Sequence, residues 1–100
     1  MKNSYPAIIK KGQKFFVSYV PDFDIRTQGE TITDTIEMTR DAIAMIGLCY
    51  EDKNLPLPAP TDLGQVECSH GEIATLIDVN FTAYRQIEES ETCKTTTETT

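Results

Sequence analysis

From Thr31 to Tyr50 the chain reads TITDTIEMTRDAIAMIGLCY, with apolar or small side chains at Ile32, Ile36, Thr39, Ile43, Ile46 and Tyr50. Steps of four and three bring these back to one side of an α-helix, so the spacing predicts a helix of roughly five turns. Met38, Ala42, Met45 and Cys49 widen the stripe. An apolar face this wide has to be covered, and it is expected to pack against a sheet. Thr31 followed by Asp34 is a weaker relative of the capping box and marks the helix start. Glu37, Arg40 and Asp41 fall mostly outward; Glu37 and Asp41 are like charges four apart, and Arg40 is placed to relieve part of their repulsion.

The sheet must come from the flanking segments. YPAIIK (Tyr5 to Lys10) and KFFVSYV (Lys14 to Val20) are rich in β-branched and aromatic residues, and Lys11-Gly12-Gln13 joins them. Two such runs at this separation read as a β-hairpin. In the second run Phe15, Val17 and Tyr19 form a wholly apolar face expected to meet the core, with Phe16, Ser18 and Val20 on the other side. Pro21-Asp22-Phe23 turns the chain into a third strand, Asp24 to Gly29. After the helix, EDKNLPLPAPTD (Glu51 to Asp62) alternates Pro56, Pro58 and Pro60 with apolar residues. That pattern is extended and cannot be a central strand; it is expected to lie as a surface strap, since an SH3-type ligand would need PxxP spacing. GQVECSHGE reads as a loop, and IATLIDVNF (Ile73 to Phe81) as a fourth, well-covered strand. TAYRQIEESE reads as a short helix capped by Asn80 or Thr82. ETCKTTTETT has no aliphatic residue to bury and is expected to be disordered. The expected fold class is α+β: an antiparallel β-sheet in β-β-β-α-β-α order packed on one long helix, with one domain over residues 1–90 and a Thr-rich tail over 91–100.

One hundred residues suit a single small domain with a modest core. Apolar and charged fractions of 39% and 25% are those of an ordinary soluble globular protein. No apolar run nears the roughly 20 residues that cross a bilayer, and MKNSYPAIIKKGQ lacks the apolar region and cleavage site of a secretion signal. A cytoplasmic protein without a membrane partner is expected. The net charge is −7, and from Asp22 onward sixteen acidic residues face five basic ones. Such a surface disfavours nucleic-acid phosphates and suits a basic protein partner.

Asp22, Asp24, Glu30 and Asp34 fall within the short stretch PDFDIRTQGETITD. A metal-dependent nuclease would need carboxylates converging on its cations. Here Asp22 belongs to a turn, Asp24 to a strand start, and Glu30 and Asp34 to the helix start, where negative charge is favoured. Cys49, Cys68 and Cys93 show no disulfide or CxxC spacing, and Cys68 with His70 lacks the second ligand pair a zinc site needs. His70 is the sole histidine, and no phosphate-binding or nucleophile motif is present. Neither enzyme activity, metal nor cofactor is expected.

The order YPAII, an aromatic second strand, PDF…TQGET, DTIEMTRDAIAMIGL, EDKNLPLPAPTDL and IATLIDVNFTAYR resembles the HicB family of antitoxins over about Tyr5 to Arg85. The helix is similar to the family's AIEMARDAI, and the last strand to its VxxVDVDFxxYR. PDFDIRTQGET is shorter than the common PDLPGCxTQGDT, a variant turn. The resemblance implies a partial, ribonuclease H-like domain that binds the small basic ribonuclease HicA and blocks its active site. Members usually continue past YR into a DNA-binding module, whereas ETCKTTTETT stands at the start of that stretch here; this chain is expected to lack the module and operator binding. The candidate toxin-contact residues are Glu37, Asp41, Glu51 and Asp52. Homo-oligomerisation, as dimer or tetramer, is expected from an exposed edge strand. Two other functions compete: an orphan oligomeric interaction module without toxin or DNA partner, and a metal-dependent nuclease using Asp22 and Asp24.

Overall fold

A computed structural model describes residues 2–86; the expected Thr-rich tail and Cys93 lie outside the described residues. The chain runs β1 (Lys2–Lys11), β2 (Phe16–Val20), β3 (Ile25–Gly29), α1 (Ile32–Asp52), a 3-10 turn (Leu63–Gln65) and β4 (Glu72–Asn80). A second helix, α2, occupies residues 81–86. The sheet is antiparallel in the order β3-β2-β1-β4. This is the expected α+β arrangement, with the 3-10 turn added inside the predicted loop.

β1 is longer than its apolar run suggests, because all of Lys2 to Lys10 pairs with β4, from Lys2 opposite Asn80 to Lys10 opposite Glu72. Its ladder with β2 stops at Ile8 opposite Tyr19. Pro6 lies past that point, where its missing N–H costs the β2 ladder nothing. Tyr5 and Ala7 of β1, Val20, Ile25, Ile77 and Val79 pack with Ile43 and Ala44 of α1 and Phe81 of α2 into one core cluster, and Ile9 and Leu48 are buried as well.

The core-facing side of β2 is the opposite of the one predicted. Ser18 (3% exposed) and Val20 point inward, while Val17 and Tyr19 lie half-buried on the far face and Phe15 is exposed. β1 sets this parity: with Tyr5, Ala7 and Ile9 inward, pairing of Ile9 with Ser18 turns Ser18 inward too. Ser18 Oγ is buried without a hydrogen-bond partner among the described residues. On α1 the expected stripe meets the core at Ile36, Thr39, Ala42, Ile43 and Ile46, and the departures are at its start and flank. Thr35, Thr39, Ile43, Ala44, Gly47 and Leu48 are buried, whereas Ile32, Met38, Met45 and Cys49 are exposed. The contact face carries small residues because the helix lies close to its neighbours. A Cβ on Gly47 would collide with the Phe81 ring, and one on Gly29 of β3 would sit 2.6 Å from the Thr35 amide nitrogen. The buried threonines satisfy their hydroxyls: Thr35 donates to the Thr31 carbonyl (2.7 Å), Thr39 to that of Thr35 (2.6 Å), and Thr27 and Thr39 share a 2.8 Å bond. Nor is β4 fully covered, since Ile73 and Leu76 are 50% and 48% exposed.

Thr31 caps α1 as predicted, its Oγ accepting from the Asp34 amide at 3.0 Å. The helix ends before the prolines. Asn54 adopts φ 57°, and its N–H and that of Leu55 donate to the carbonyls of Glu51 (3.0 Å) and Tyr50 (2.8 Å). Those two bonds make a Schellman stop, with Asn in the left-handed position usually taken by Gly. The following segment is the expected strap: Leu57 packs on the core and the Pro58 carbonyl accepts from Tyr5 Oη at 2.9 Å. Burial pushes the Tyr5 phenol up from its ordinary pKa. Phe23 stands edge-on to both Tyr5 and Tyr50, at 4.7 and 5.8 Å. Of the two predicted caps for α2, Asn80 serves, its Oδ1 accepting from the Ala83 amide at 3.1 Å.

Candidate functional site

Asp22 and Asp24 do not converge. Asp22 anchors the strap, accepting from the Thr61 amide (3.0 Å) with one oxygen and from Thr61 Oγ (2.6 Å) with the other. Asp24 sits at φ 53° in the turn and pairs with Arg26 at 3.1 Å. Asp and Asn tolerate that left-handed conformation better than most residues. Cys68 and His70 are exposed in the loop before β4, and Cys49 is exposed on α1. Among the described residues, no group of three or more His, Cys, Asp or Glu side chains could hold a metal ion. Among the same residues, no helix is long and apolar enough to cross a membrane.

The four carboxylates singled out on α1 divide into two environments. Glu51 and Asp52 close the last turn, where the helix dipole disfavours negative charge. Arg85 of α2 compensates, reaching Asp52 at 2.9 Å, Glu51 at 3.2 Å and the Leu48 carbonyl at 3.4 Å. These carboxylates, Asp52 foremost, hold the guanidinium above its ordinary pKa. Asp41 and Glu37 lie further toward the start of the helix. Asp41 accepts a hydrogen bond from Tyr84 Oη of α2. Burial, and then this bond, push the Tyr84 phenol up to about 12. Arg40 does not relieve Glu37 as predicted. It reaches across to β4 and donates to the Asp78 carbonyl (2.9 Å) and carboxylate (3.1 Å), holding that carboxyl below its ordinary pKa.

Glu37 and Asp41 instead line a groove of about 380 Å³ together with Glu30, Asp34, Met38 and Phe15. Met38 and Met45 are 53% and 65% exposed beside these acids. Met38 and Met45, expected to widen the core stripe of the helix, instead lie on this exposed side with Asp34 and Asp41 at steps of four, three and four. Tyr84 and Arg85, which hold α2 to α1, are the closing YR of the pattern the last strand resembles, but nothing in the sequence pointed to their partners on α1.

The side of the sheet away from α1 carries a second depression, of about 600 Å³, with Ile8, Val17 and Tyr19 on its floor. Arg26 stacks 4.5 Å over the Tyr19 ring. Lys10, Arg26 and Glu72 give this side mixed charge.

No protein-family model and no curated protein matches the chain. In three dimensions it is similar to a chain of a toxin–antitoxin complex from Streptococcus pneumoniae, with a TM-score of 0.74 and 19% identity, over 84% of this chain and 73% of that one. It is also similar to a chain of the HicA3 and HicB3 toxin–antitoxin complex, with a TM-score of 0.64 and 24% identity, over 78% of this chain and 99% of that one. The four-stranded antiparallel sheet on one long helix is thus a fold shared with a chain of each of these toxin–antitoxin complexes.

Proposed function

We propose that this protein is the antitoxin of a type II toxin–antitoxin pair, binding a small basic HicA-type ribonuclease in the cytoplasm and masking its active site. The observation that carries this reading is the likeness, over most of the chain, to chains of two toxin–antitoxin complexes. Two further observations support it. The net charge of −7 opposes RNA and favours a basic protein. Asp22 and Asp24, the residues a nuclease would draw on, are occupied by Thr61 and Arg26, and the reading gives the chain no catalytic role. Acidic side chains of the antitoxin compete with RNA phosphates for the toxin's Lys and Arg, and an apolar centre supplies most of the affinity. Glu37 and Asp41 are available to such a contact along the groove, whereas Glu51 and Asp52 would first have to give up Arg85. Self-association through the edge strands β3 and β4 belongs to the same reading.

The test is co-expression of the full chain with HicA-type ribonucleases in cells that the ribonuclease alone arrests. The expected result is restored growth and recovery of the two proteins as one complex. Continued arrest with no complex, across the ribonucleases tried, overturns the proposal.

A further inference from the structure

Resting on that reading, we propose that the ribonuclease docks on the groove between α1 and the hairpin end of the sheet, with Met38 as the apolar anchor and Glu30, Asp34 and Glu37 around it. Three observations lead there. Met38 and Met45, seven residues apart on α1, are 53% and 65% exposed, so two flexible apolar side chains lie along one line of the helix with no covering element among the described residues. Phe15, exposed at the start of β2, stands across the same groove. Four carboxylates line it and no cation does, and among the described residues Glu30, Asp34 and Glu37 have no salt-bridge partner. Unpaired like charges around exposed apolar groups weaken the isolated fold slightly, and a cationic partner removes that cost. The occupant that fits is a protein surface with Lys or Arg around an apolar knob. The groove's charge rejects RNA, and the mixed charge of the far sheet face fits a basic partner less well.

The experiment measures binding of the full chain to the ribonuclease it neutralises, in a catalytically inactive form, by calorimetry. Met38→Arg and Glu37→Arg are compared with Leu76→Arg on the far sheet face. All three sites are exposed, and circular dichroism with thermal melting checks that each variant is folded. The two groove variants are expected to weaken binding by about 30-fold or more, as loss of a central contact does. Leu76→Arg is expected to stay within about 3-fold of the parent, the size of a rim effect. Groove variants that bind like the parent, or loss confined to Leu76→Arg, overturn the assignment while leaving the antitoxin reading intact. A change in the mass of the chain alone by sedimentation in Glu37→Arg also overturns it, giving the groove to a second copy. If the parent neutralises no such ribonuclease, the antitoxin reading itself has failed, and this assignment with it.

Discussion

The two ends of α1 both carry carboxylates, in opposite settings. At the last turn Glu51 and Asp52 sit against the unfavourable end of the helix dipole, and Arg85 spans both of them and the Leu48 carbonyl. Around the first turns the dipole favours Asp34, yet among the described residues Glu30, Asp34 and Glu37 have no salt-bridge partner, and they border exposed Phe15 and Met38. The same residue type therefore does two jobs on one helix. Where the helix needs charge compensation the fold supplies it internally, and where it does not, the charge is left facing outward. Asp41 lies between the two, engaged by a neutral donor, Tyr84.

The strongest way to break this contrast is to unseat α2. Phe81 is fully buried against Gly47. Gly47→Val should force its ring out and carry Tyr84 and Arg85 away from α1, leaving the carboxylates at the helix end as unpaired as those at its start. An overpacked site of this kind costs about 2–3 kcal/mol, seen as a lower urea midpoint. Arg85→Ala removes only the clamp. It should lower Tm by roughly 2–5 °C, with the loss shrinking in high salt, while Glu37→Ala should leave Tm nearly unchanged. The smallest effect belongs to Tyr84. Tyr84→Phe deletes one hydrogen bond to Asp41 and should cost about 0.5–1 kcal/mol. Because the folded protein holds the Tyr84 proton up to about 12, against an ordinary value of 10.0, its contribution is complete below pH 10 and fades as pH rises toward 12. The stability gap between parent and Tyr84→Phe, read from urea midpoints, should therefore hold constant below pH 10 and shrink across that window.

Much of the fold was legible because it is written in local chemistry. Thr31 with Asp34, the Pro21 to Phe23 turn, the alternating prolines of the strap and Asn80 before α2 each act over a few residues, and each lies where its chemistry indicates. Orientation was not legible. Helical spacing placed Ile36, Thr39, Ile43 and Ile46 correctly but also carried Ile32, Met38 and Met45 into the core stripe, and the alternation Phe15-Val17-Tyr19 argued for the wrong face of β2. In the folded chain the close approach of α1 to the sheet and to Phe81 calls for small side chains at Thr35, Thr39, Ala44 and Gly47, beside the larger buried Ile43 and Leu48. The bulk that does not fit is left outside. The candidate groove was hidden for the same reason, since Met38, its apolar centre, has the spacing of a core residue. Arg85 was equally out of reach, since it meets Glu51 and Asp52 only after β4 has crossed the sheet.

The strap between α1 and the 3-10 turn has an evolutionary consequence. Its ties to the body of the protein, the Pro58 carbonyl and the Thr61 amide and hydroxyl, are mainly backbone atoms, and their partners Tyr5 and Asp22 lie elsewhere in the chain. Backbone atoms are the same whatever residue carries them. Tyr5, Asp22 and Thr61 should therefore resist substitution, while the exposed positions along the strap are free to drift, so that related chains can keep this brace after its sequence has become unrecognisable.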